Sequence, residues 1–222
     1  MKQNRQLGLR RYTVGVVRAK ICGITRLEDA LWAERLGVSA LGFNLVPGTR
    51  RYRPAEHARS MATQLGPLIQ CVGIFQNLEP EQVLAQMQTA GLQVAQLHGD
   101  EPHEWAEQVG QHYPVIKAIN LSGLADPKWL DYPAQALLVD ARSPGSGETY
   151  PLEWLEPLRS HPHLIIAGGL TPENLDPVLA LNPYGVDVSS GVEMAPGEKD
   201  PHKVQRFLEV VQQANRGYPQ PS

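Results

Sequence analysis

Several shortages in this sequence each exclude a class of protein. Among 222 residues there are two cysteines, Cys22 and Cys71. Two cannot build a disulfide framework, and both sit in strand-like runs, which suits a reducing compartment and a cytoplasmic location. Charge of either sign is not in excess: the net charge is −3, which gives no electrostatic reason to expect nucleic acid or a membrane surface as partner. The longest apolar runs fall far short of the ~18 residues that a membrane helix needs. The first dozen residues carry Lys2, Arg5, Arg10 and Arg11 and no acid, but they lack the apolar core of a signal peptide. The seven histidines show no helical metal spacing, and His161-Pro-His163 reads as a turn, so no metal site is expected. No dinucleotide glycine fingerprint follows a strand, so no nucleotide cofactor is inferred. What remains is a soluble globular composition, 42% hydrophobic and 19% charged. A chain of this size buries roughly 70% of its unfolded surface and needs no staple.

The organising unit is Val17 to Gly37. A β-branched apolar run from Val14 to Ile21 reads as a strand, with Cys22 at its carboxyl end before Gly23. Alternation places Arg18, Lys20 and Cys22 on one side and Val17, Ala19 and Ile21 on the other. Thr25 and Glu28 have capping-box spacing, and Gly37 stops the helix that follows. The same βα pattern recurs eight times, with strands starting near Val17, Ser39, Ile69, Gln93, Pro114, Ala136, Leu164 and Tyr184. Alternating βα units imply a parallel sheet with helices on its faces. Eight of them fit a single (β/α)₈ TIM barrel at the small end of that fold's range. An open doubly wound sheet is the alternative, but it would gather its unusual residues at one switch point. Here they are spread over many strand ends. The expected organisation is a disordered basic arm at 1–13, a barrel at 14–214 and a frayed tail at 215–222.

The residues of chemical interest follow the strands, on the face where barrels carry their catalytic loops. Gly168-Gly169 precedes a helix start at Thr171, and Ser189-Ser190-Gly191 follows the eighth strand. Glycines let backbone N–H groups approach an anion, and helix N-termini add partial positive charge. Together these loops read as a phosphate seat; singly they are tight turns. Cys22 is either an inert small hydrophobe, which is the reading for Cys71, or a thiol whose ionisation Lys20 favours. Asp140 shares a side with Leu138 at the end of an apolar strand. Partial desolvation there would favour its protonated form, as a general acid requires; the plain alternative is a turn cap. Arg50, Arg51 and Arg53 lie on one strand-end loop, where a guanidinium could fork onto a carboxylate or simply be solvated. His98 is a polar lumen residue or a substrate contact.

These residues stand in stretches that closely resemble the phosphoribosylanthranilate isomerase family of tryptophan biosynthesis. The matching stretches are Lys20-Ile-Cys-Gly-Ile-Thr25, Val72-Gly-Ile-Phe75, Gln96-Leu-His-Gly99, Ala167-Gly-Gly-Leu170 and Asp187-Val-Ser-Ser-Gly-Val-Glu193. They occur in the family's order from about Val17 to Leu208. The resemblance implies a (β/α)₈ barrel, a small phosphosugar substrate and an Amadori rearrangement with no cofactor. It implies that Asp140 is the general acid and Cys22 the general base. It also implies that Arg51 holds the anthranilate carboxylate, and that Gly168, Gly169, Ser190 and Gly191 seat the phosphate. A monomer is expected, with a homodimer as the alternative. Two departures stand out. The loop after Asp140 is short and carries Glu148 where the family commonly has lysine. The segment Thr49 to Pro54 is one residue short, which leaves Arg50 or Arg53 as substitutes for Arg51. The rival readings are indole-glycerol-phosphate synthase, which would be expected to carry a catalytic lysine-and-glutamate set, and a phosphosugar-binding module without turnover.

Overall fold

The computed structural model describes residues 16–141 and 149–216. The expected basic arm, the glycine-rich loop at 142–148 and most of the expected tail lie outside the described residues. Eight parallel strands close into a barrel: β1 (Arg18–Cys22), β2 (Ala40–Asn44), β3 (Gln70–Phe75), β4 (Val94–Leu97), β5 (Val115–Leu121), β6 (Ala136–Ala141), β7 (Leu164–Ile166) and β8 (Gly185–Val188). One ladder decides against the open sheet. β8 pairs with β1 in parallel, from Arg18 opposite Gly185 to Ile21 opposite Val188. The (β/α)₈ expectation therefore stands.

Period-two alternation sorts each strand into two cores. Outward residues such as Phe43, Phe75, Leu137 and Val186 pack against the helices. Inward residues Val72, Ile116, Ala118, Leu138, Ile165 and Ala167 fill the lumen. Each large side chain buried this way contributes roughly 1.5–3 kcal/mol. The lumen is thus apolar in part, with the Lys20–Asp187 pair and Gln96 buried beneath the layer that carries Cys22, His98 and Asp140.

The connections are helical but uneven. They are α1 (Leu27–Arg35), α2 (Ala55–Ala62), α3 (Pro80–Ala90), α4 (His103–Gly110), α5 (Asp176–Leu179) and α6 (Pro201–Arg216). After β5 and β6 the described residues make only 3₁₀ turns, at Pro127–Asp131 and Leu152–Leu158. α3 has proline in its first turn and ends at Gly91, whose φ of +65° a side chain would strain.

Three local expectations are corrected. The capping box at Thr25 does not form. The Thr25 hydroxyl instead donates to the Gly197 carbonyl, so Arg26 becomes the N-cap with no side-chain bond. The helix expected from Thr171 contracts to the four residues of α5, because Thr171 and Asn174 close a turn of their own: Thr171 N–H donates to Asn174 Oδ1 at 2.8 Å. The final helix runs beyond Ala214 to Arg216. There Asn215 accepts from Val17 N–H at 2.7 Å and donates to Val17 O at 3.0 Å, tying the end of the helix to the start of β1.

Between β8 and α6 the chain adds one feature that the repeat does not predict. A 3₁₀ turn at Ser190–Val192 leads into a two-stranded hairpin, β9 (Glu193–Ala195) and β10 (Glu198–Lys199). No helix among the described residues is long and apolar enough to cross a membrane.

Candidate active site

The carboxyl ends of the strands surround a cavity of about 600 Å³. Cys22, His98 and Asp140 line it from β1, the end of β4 and β6. Gly168, Gly169, Ser190 and Gly191 line it from the loops after β7 and β8, and Arg51 from the loop after β2. Cys22, Arg51, His98, Asp140 and the glycine-loop residues therefore border one hollow, although Cys22 and Asp140 come from opposite halves of the chain.

The glycine loops are shaped for close backbone approach. Gly168 and Gly169 have φ of +88° and +62°, a region closed to most side chains. A Cβ at Gly191 would collide with the Leu170 carbonyl, so the two loops press directly on each other.

Asp140 is short of donors among the described residues. Its Oδ1 accepts from the Ala141 N–H at 2.8 Å, and its Oδ2 lies 3.7 Å from His98 Nε2. Burial pushes its carboxyl up to about 6, because a charged carboxylate with few donors is costly away from water. His98 is driven the other way. Burial, helped by the Lys20 charge, lowers it to about 4, so the imidazole is neutral. The Gln96 amide donates to His98 Nδ1 at 3.1 Å, which leaves the ring hydrogen on Nε2, facing Asp140.

Cys22 departs from the expectation that Lys20 would favour its thiolate. Burial outweighs the attraction of Lys20 and Lys199 and raises the thiol above its ordinary 9.0. Lys20 does pull the thiol down, by charge and by hydrogen bond, but less than burial pushes it up. Its Nζ lies 2.9 Å from Asp187 Oδ1 in a buried ion pair, and Asp187 and Cys22 together hold the ammonium above its ordinary value against the cost of burial. Gly42 on β2 leaves space for the sulfur; a Cβ there would lie 3.0 Å from Sγ. Cys71 is buried behind the sheet, and burial lifts it to about 11, in keeping with an inert thiol.

The three arginines separate. Arg53 turns away, donating to Thr25 O and Tyr52 O. Arg50 and Arg51 both line the cavity. Arg51 forks onto Glu193, with Nε to Oε1 at 2.8 Å and Nη2 to Oε2 at 2.7 Å. The sequence by itself assigns no role to Asp187 or Glu193. Asp187 was within reach, since alternation from Ser189 places it inward, level with Lys20. Glu193 was not, because it belongs to the hairpin outside the βα repeat. Among the described residues no group of three or more His, Cys, Asp or Glu side chains could hold a metal ion.

The family model described as N-(5'phosphoribosyl)anthranilate (PRA) isomerase matches residues 19–210. The chain belongs to the N-(5'-phosphoribosyl)anthranilate isomerase family. A relative of that name from Thermotoga maritima is 40% identical over 199 residues, covering 87% of this chain and 97% of its own. The crystal structure of phosphoribosyl anthranilate isomerase from Thermus thermophilus superposes with a TM-score of 0.87 at 56% identity, covering 89% of this chain and 99% of that one. A phosphoribosyl anthranilate isomerase solved in complex with reduced 1-(o-carboxyphenylamino)-1-deoxyribulose 5-phosphate gives a TM-score of 0.80 at 37% identity, covering 89% and 100%. Membership in the isomerase family weighs against the synthase reading.

Proposed function

We propose that this chain carries out the reaction that names its family. N-(5'-phosphoribosyl)anthranilate, an aminoaldose, is isomerised to the 1-deoxyribulose 5-phosphate in tryptophan biosynthesis, with Asp140 as general acid and Cys22 as general base. The observation that carries the assignment is the sharing of one cavity by a donor-poor carboxyl, a buried thiol and two glycine loops fit for a phosphate. Asp140 gives its proton to the ribose ring oxygen. The C1–O bond breaks, and the nitrogen lone pair forms the C1=N bond of a Schiff base. Cys22 as thiolate then takes the proton from C2. That C–H pair becomes the C1=C2 bond, and the C=N pair returns to nitrogen, giving an enolamine. Loss of the C2 hydroxyl proton and protonation at C1 yield the ketone. Apart from the ring opening, only protons and π bonds move, and substrate and product have the same atoms. Lys20 stabilises the thiolate while it lasts, and the neutral His98 N–H is placed to hydrogen-bond Asp140 once that group is charged.

The phosphate is read at Gly168, Gly169, Ser190 and Gly191, where N–H groups carry the contact without a fixed cation. Arg51 is read as the receptor for the anthranilate carboxylate. A positioned acid or base contributes roughly 10²- to 10⁴-fold each. Asp140→Asn and Cys22→Ala should therefore each cut kcat by at least ~10³-fold while a reduced product analogue still binds within a few-fold. Steady-state kinetics with calorimetric titration of the analogue checks this. Loss of binding in both variants, or turnover surviving in either, would sink the assignment.

A further inference from the structure

Arg51 has five N–H donors on a rigid plane. Glu193 takes one edge, through Nε and Nη2, and among the described residues Nη1 has no acceptor. Glu193 is itself held from several sides. Its Oε1 accepts from Lys199 Nζ at 2.9 Å and from Gly197 N–H at 3.2 Å, and its backbone oxygen accepts from Lys203 Nζ at 3.0 Å. Lys199, 2% exposed, also donates to the Ser189 carbonyl at 3.2 Å. One carboxylate thus joins two cations, and the cluster keeps a net positive charge at the edge of the cavity. The stem of Arg51 lies over Gly23, beside Cys22, where any Cβ would strike it.

We infer that Glu193 is a positioning residue: it fixes Arg51 so that the free Nη1–Nη2 edge receives the aryl carboxylate of the substrate. This rests on the reading of Arg51 given above and says how that reading is achieved. The chemistry fits the place. The carboxylate sits on the ring attached at C1, and Cys22 acts at C2, so the receptor belongs next to the thiol. A guanidinium already forked on one edge has lost its rotamer freedom before substrate arrives, and its second fork binds without that cost. Burial opposes but does not overcome the two cations, which hold Glu193 below the ordinary carboxylate range. The carboxylate therefore stays charged through the working pH range. Through Lys199 the same residue ties the carboxylate receptor to the Ser189–Gly191 loop, so the two anionic ends of the substrate are gripped by one network.

The test uses two inhibitors: the reduced 5-phosphate of the aminoketose with its ortho-carboxylate, and the same compound with a plain phenyl ring. Wild type, Glu193→Gln, Glu193→Asp and Arg51→Lys are titrated with each. Wild type should prefer the carboxylated compound. Glu193→Gln should lose about 10- to 100-fold of that preference and raise KM with kcat changed little, while affinity for the phenyl compound stays within about twofold. That last value also reports an intact fold. Glu193→Asp keeps the charge but shortens the reach, and it should lose preference too. Combining Glu193→Gln with Arg51→Lys should add nothing to either alone. If Arg51→Lys abolishes the preference and both Glu193 variants keep it, the positioning role is wrong and the reading of Arg51 stands. If Arg51→Lys keeps the preference and Arg50→Ala loses it, both are wrong.

Discussion

Two carboxylates end neighbouring parts of the barrel wall and are treated in opposite ways. Glu101, just after β4, is saturated. It accepts from Asn77 N–H at 2.9 Å, from Gly99 N–H on both oxygens, and from Lys117 Nζ at 2.6 Å. Lys117 also donates to Gly99 O at 2.5 Å. Its side chain is wholly buried, facing outward from β5 near Trp129 and Tyr132. Asp140, at the end of β6, has among the described residues a single backbone donor and a neutral imidazole at 3.7 Å. The saturated carboxylate ties the loops after β3 and β4 together and so fixes where His98 sits. The starved one faces the cavity with its proton affinity raised. A buried carboxylate that meets all its donors is architecture, and one that lacks them is available for chemistry.

The largest expected effect that separates the two is on stability. Lys117→Met removes the cation and leaves Glu101 charged and buried. Loss of one partner of such a pair costs about 3–5 kcal/mol. The urea midpoint should fall by that loss divided by the slope, with the slope itself unchanged. A loss under about 1 kcal/mol would mean that Glu101 is held by its amide donors alone, and the contrast with Asp140 would weaken.

Asp140→Asn should act in the opposite direction. Folding raises this carboxyl from 3.8 to about 6, so the folded state binds its proton more tightly than the unfolded chain. The stabilisation is complete below pH 3.8 and is lost as pH rises through 6. At pH 8 the wild-type chain therefore carries a buried charge that costs about 2–3 kcal/mol, allowing for its partial exposure. Asparagine carries no such charge. The variant should gain about that much relative to wild type between pH 3.5 and pH 8, measured by urea unfolding at each pH. A pH-independent difference would show that Asp140 is not desolvated.

The sequence reached this contrast from one side only. Asp140 was legible because alternation from Leu138 turned it inward and the apolar run before it implied desolvation. The barrel was legible for the same reason: each βα unit repeats a local pattern. The partners of the charged residues were not. Lys117 reads as an ordinary strand interruption, since nothing local shows that Glu101 turns back to meet it. Arg51 reads as a fork for a carboxylate or a solvated side chain, with nothing to point to Glu193, 142 positions away. Lys20 reads as a partner of Cys22 alone, and it also pairs with Asp187, 167 positions distant. Thr25 looked like a cap until the hairpin supplied a carbonyl for its hydroxyl. Local periodicity specifies which way a side chain faces; which charge it meets depends on how the barrel closes.

The smallest effect concerns the pH profile, and its sign is not the obvious one. An enzyme whose acid has a proton affinity near 6 would seem to need pH below 6. The reactive pair is a protonated Asp140 with a Cys22 thiolate. It holds one proton, the same number as the abundant pair of carboxylate and thiol. The two forms rise and fall together, because pH changes only the proton count. The rate should therefore fall on the acid side, where both groups are protonated, by about tenfold per pH unit below 6. It should hold level above 6 and fall again only above the raised affinity of the thiol, beyond 9.0. The measurement is kcat/KM across pH 4.5 to 10, with a control for the substrate's own ionisations. In Asp140→Asn any residual rate should lose the limb near 6. A wild-type rate that keeps climbing as pH drops below 6 would show that Asp140 acts without a paired thiolate.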